Sequence, residues 1–133
     1  GRRVAVQATG KPESIFLTSD APGIAQVEAV YSFSTMDEVY ACLRKGYADA
    51  IAAHETAILQ CMADYGLELR ILDEPLLAVG LGVAFARSDD RGLAQELSRT
   101  FSQMRDDGTT QQILGKYLEN PQKYMEASSY AND

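Results

Sequence analysis

Residues 31–66 read YSFSTMDEVYACLRKGYADAIAAHETAILQCMADYG, and the fold follows from how this stretch is punctuated. Met36, Val39, Tyr40 and Leu43 recur at i, i+3, i+4, i+7, which places one apolar stripe along a helix near 35–45. Lys45 and Gly46 end it, a cation in the last turn followed by a residue that accepts left-handed backbone. Ala48 to Ala53 is small and apolar almost throughout, as a strand covered on both faces must be. His54 and Glu55 then open a helix near 54–65, with Ala57, Ile58, Cys61, Met62 and Tyr65 as its apolar stripe. A polar side chain thus emerges at the carboxyl end of a central strand, the edge at which open α/β sheets bind ligands.

Upstream, Arg3 to Gln7 is a β-branched run expected to form a strand at 3–7. A turn at Ala8 to Lys11 follows, then a helix near 12–20 with Pro12 at its first position and Glu13 in its first turn. Ile15, Phe16 and Ile24 supply its buried side, and Asp20-Ala21-Pro22-Gly23 closes it. Val27 to Tyr31 reads as the second strand. Downstream, Leu67 to Leu72 alternates like a half-covered strand, and GLGVAFAR at 80–87 reads as a further, antiparallel strand near 81–86. Ser88-Asp89-Asp90 offers caps for a helix near 89–106 carrying Leu93, Leu97, Phe101 and Met104. Thr109 to Gln112 has the T-x-x-Q form of a capping box for a helix near 109–118. The tail from 121 to 133 is polar, with room for one short turn of helix. The order βαβαβαββαα defines an α/β chain: a mostly parallel open sheet with one antiparallel strand and helices on both faces.

A chain of 133 residues with 46% apolar content is one domain's worth of globular protein. A net charge of −7 and a pI near 4.6 exclude nucleic acid and anionic membrane as natural partners. No apolar run is long enough to span a bilayer. The opening at Gly1-Arg2-Arg3-Val4, already entering a strand, has the form of an excised or processed fragment. Cys42 and Cys61 fall on two helices expected on one face of the sheet. They are read as two small buried hydrophobes, with a bridge contributing about 3 kcal/mol as the alternative.

No catalytic constellation is present. Thr9-Gly10-Lys11 is not a phosphate-binding loop, because Pro12 stands where the magnesium-binding hydroxyl would be. Gly80 to Gly82 lacks the third glycine of a dinucleotide site, and a single histidine without a partnered Ser or Cys makes no triad. Metal-ligand spacing is likewise missing, so no cofactor is expected. Two helix starts remain, one after each of the first and third strands, where free amides and the helix dipole favour an anion.

Several stretches resemble the second lobe of the family 3 extracellular solute-binding proteins, which have the type 2 periplasmic-binding-protein fold. Gly1 to Gln7 resembles that lobe's G-K-K-V-G-V-Q opening. Phe33 to Ala53 resembles its helix, basic-Gly step and Asp-Ala strand, with Asp49-Ala50 matching. Gly80 to Arg87 resembles the Y-G-I-A-V-R strand, and MRDDGTTQQILGKY at 104–117 resembles the C-terminal signature. The resemblance implies a second lobe at 1–87, C-terminal helices at 88–120 and a polar tail at 121–133. It also implies a first lobe of roughly 90 to 100 residues that is missing here.

Thr9, Gly10, Lys11 and His54 are then the ligand-binding positions. At three of them the chain departs from the pattern: Thr9-Gly10 stands for Gly-Thr, and His54 for the Asp that pairs with a substrate ammonium. The resemblance implies an extracytoplasmic protein that captures a small amino-acid-like or anionic ligand for an ABC-type permease. The alternative is a ligand-sensing domain of a membrane-bound histidine kinase or diguanylate cyclase, which the polar extension past Tyr117 favours. Self-association through Leu93, Leu97, Phe101 and Ile113 is expected where the first lobe is absent.

Overall fold

Strand β1, Arg3–Gln7, is the centre of the sheet in the computed structural model, which describes residues 1–18, 26–78 and 80–126. It pairs in parallel with β2, Ala29–Phe33, on one side and with β3, Ala50–Ala52, on the other. The order β2-β1-β3 follows from two crossovers running in opposite directions. Helix α1, Lys11–Thr18, connects β1 to β2, and α2, Met36–Arg44, connects β2 to β3. Right-handed crossovers in opposite directions put the two helices on opposite faces. Side-chain alternation along β1 agrees: Ala5 packs with Val39 and Cys42 of α2, while Val4 and Val6 point to the other side. All three are buried, so β1 is covered on both faces.

In helix α2 the expected stripe is met at Val39 and Tyr40, which are buried, and only half at Met36 and Leu43, while Cys42, off that spacing, is buried as well. The helix start carries a signal that the apolar spacing alone overlooks. Thr35 accepts from the Glu38 amide, and Glu38 returns a carboxylate to the Thr35 amide at 3.0 Å, a complete capping box. Helix α3, Glu55–Tyr65, lies on the α2 side, because the Tyr40 hydroxyl donates to the Ala57 carbonyl at 3.0 Å. Gly66 ends α3 in the left-handed region, at φ 60°, where a side chain would be strained. Cys61 is buried and its neighbour on the stripe, Tyr65, is 56% exposed, so the stripe of α3 is narrower than its sequence implies. Cys42 and Cys61 are both buried free thiols. Burial pushes the Cys61 thiol up.

One contact ties β1 to β3 at the amino edge. The Arg3 guanidinium reaches both carboxylate oxygens of Asp49, at 3.1 and 3.0 Å, and the Arg3 amide donates to the same side chain at 2.8 Å. Arg3 also reaches the Gly46 carbonyl, and the Asp49 amide donates back to the Arg3 carbonyl. This fork gives Gly46 and Asp49 a common role: they clamp the entry of β3 to β1. Arg3 holds the Asp49 carboxyl well below the usual carboxylate range. A carboxyl depressed in the folded state stabilises above its unfolded value, near 3.9, and loses that contribution as pH falls further. Asp49→Asn is therefore expected to lower the urea midpoint at pH 7, with the gap from wild type narrowing below about pH 4. Equal gaps at pH 7 and pH 3 would refute the clamp.

The remaining elements correct the sequence reading in part. Strand β2 starts at Ala29 rather than Val27, and helix α1 starts at Lys11. The expected close of α1 at Asp20 to Gly23, and Ile24, lie outside the described residues. Leu67, Leu69 and Ile71 are half-buried and Glu68, Arg70 and Leu72 exposed, so the alternation is real. Residues 67–72 nonetheless form no ladder. The antiparallel strand expected near 81–86 is also not formed. Among the described residues the sheet has three strands, all parallel. A strand exists only when another edge takes its N–H and C=O groups, and the GLG start weakens the segment further. Leu81 is fully exposed.

The chain divides into two units, 1–76 and 77–133. In the second, α4 runs Leu93–Asp106, α5 Thr109–Leu114 and α6 Gln122–Glu126. Asp89 does not cap α4. Its carboxylate instead accepts from the Arg91 amide and pairs with the Arg91 guanidinium at 2.6 Å, and Gly92 becomes the cap. The expected capping box at Thr109 is likewise displaced by one residue: Gly108 caps α5, and the Thr109 amide donates to Asp107 at 2.9 Å. Neither α4 nor α5 has a buried residue. Residues 127–133 of the polar tail lie outside the described residues.

Candidate functional site

The first and third strands are hydrogen-bonded neighbours, with Val6 opposite Ala52. Their carboxyl ends therefore open onto one edge. The chain leaves β1 toward α1 on one face and leaves β3 toward α3 on the other, which makes this the switch point of the sheet. Crevices for ligands form at such points. The turn Ala8 to Lys11 borders it from one side and Ala53 to Glu55 from the other.

The β1–α1 turn is held by short polar contacts. Thr9 has φ 62°, the left-handed region that a β-branched residue rarely enters. Its amide donates to the Glu13 carboxylate at 2.6 Å, so the side chain of the first helical turn folds back over the turn. The Ser32 hydroxyl and the Thr9 amide together hold the Glu13 carboxyl below its ordinary value. The Ala8 amide donates to Phe33, the Gly10 amide to Gln7 and the Ser14 amide to Gly10. Gly10 is needed for close approach, since a Cβ there would sit 3.1 Å from the Gln7 carbonyl oxygen. Pro12 has no amide hydrogen. Of the amides from Ala8 to Ser14, at most those of Lys11 and Glu13 remain for a ligand. The free anion cradle expected here is largely filled by the protein itself.

Because Thr9 sits where a glycine would be unstrained, Thr9→Gly is expected to stabilise the first unit by about 1 kcal/mol. Urea denaturation reads this directly; a lower midpoint in the variant would contradict the strain.

His54 is the N-cap residue of α3, with extended backbone and no side-chain capping bond. Its carbonyl accepts from Ala57 and Ile58, while the imidazole is exposed at the strand's end. Ala53, expected to be buried at the end of a central strand covered on both faces, is half-buried: among the described residues β3 lies at the edge of the three-stranded sheet, with Ala50 exposed and Ile51 and Ala52 only half-buried. Lys11 is exposed in the β1–α1 turn. From sequence alone Glu13 has only a dipole role; its position four residues after Thr9 is the signal for the contact. Ser32 carried no signal, since its contact with Glu13 spans the sheet. Among the described residues there is no cluster of metal-ligating side chains, and no helix is long and apolar enough to cross a membrane.

The chain is 32% identical over 97 residues to the histidine-binding periplasmic proteins of Salmonella typhimurium and Escherichia coli K12, a match covering 68% of this chain. It spans 37% of the length of these curated relatives. This likeness supports kinship with periplasmic solute-binding proteins. No family model and no solved structure matches the chain.

Proposed function

We propose that this chain is the second lobe, with C-terminal helices, of an extracytoplasmic solute-binding protein of family 3. Thr9, Gly10, Lys11 and His54 line its half of the ligand cleft. The observation that carries the reading is the switch point between β1 and β3, where two polar turns leave one edge of an open sheet. The histidine-binding relatives support a small polar ligand, amino-acid-like or anionic. Delivery to an ABC-type permease is the role that fits such capture. Calorimetry on the protein carrying both lobes, against L-histidine, other L-amino acids and small anions, tests the reading. Saturable binding weakened by His54→Ala supports it; no heat from any of them, in a folded protein, counts against it.

The C-terminal helices belong to the same reading. Leu97 is half-buried, while Phe101 and Ile113 are 46% and 42% exposed, an apolar stripe on helices that bury none of their own residues. We assign this stripe as the surface on which the first lobe docks. Without that lobe the stripe is expected to drive self-association, since soluble monomers rarely leave such patches open. Sedimentation of the isolated chain should show mass rising with concentration and Phe101→Glu should reduce it. A strict monomer with ordered helices would contradict the assignment.

A further inference from the structure

We draw no further inference here: the strongest candidate, the unpartnered apolar face of α4 and α5 around Phe101 and Ile113, belongs to the docking surface already proposed, and nothing in the structure shows another occupant for it.

Discussion

Val39→Asp is expected to abolish the folded first unit. Val39 is fully buried between α2 and the sheet, against Ala5, Cys42 and Ala48. Among the described residues, no buried polar or charged side chain lies in that cluster to receive a carboxylate. A charge placed there must protonate, drag water in or expel the helix, at a cost of several kcal/mol. A unit of this size has a total stability of about 4–11 kcal/mol. The variant should therefore lose far-UV helical signal and amide dispersion at 25 °C. Val39→Ala, which removes only two methyl groups, should cost about 2–3 kcal/mol and leave the fold intact. A well-folded Val39→Asp protein with the wild-type urea midpoint would mean that α2 does not pack as described.

The second large effect concerns the ligand. One wall of a cleft encloses too little of a small molecule, so this chain alone should bind L-histidine no tighter than about millimolar, near −4 kcal/mol. On the two-lobe reading proposed above, His54 takes the place of an aspartate that would pair with a substrate ammonium. Restoring a carboxylate by His54→Asp should strengthen binding of ordinary L-amino acids roughly 10- to 100-fold, the value of one charge-assisted hydrogen bond. The wild-type site should prefer a ligand with no free ammonium at that point. Tight L-amino-acid binding by wild type that disappears in His54→Ala would show that the imidazole recognises the ammonium side, and would overturn this preference.

What the sequence revealed divides by the range of the interactions involved. Helices α2 and α3, and the three strands, come from local spacing and from the Lys45-Gly46 stop, so they were readable within two residues. The sheet edge bearing His54 was readable too, because element order dictates where a βα turn emerges. Segments 67–72 and 80–87 had strand-like patterns, yet a pattern supplies no partner for a ladder. The Arg3–Asp49 fork joins residues 46 apart, and nothing local announces it. Similarly, the amides of the β1–α1 turn look free in sequence and are consumed in the structure by Glu13, Gln7 and Phe33. Helix-start chemistry is legible only once those competitors are placed.

The ligand edge itself is tested most directly by amide chemical-shift mapping of this chain titrated with L-histidine, a panel of L-amino acids and small anions at millimolar concentrations. Shifts confined to Ala8–Lys11 and Ala53–Glu55, for at least one ligand, are the predicted result. Shifts confined to the amino edge around Arg3 and Gly46–Asp49, or no shifts with any compound, would contradict the assignment of this sheet edge as the binding wall.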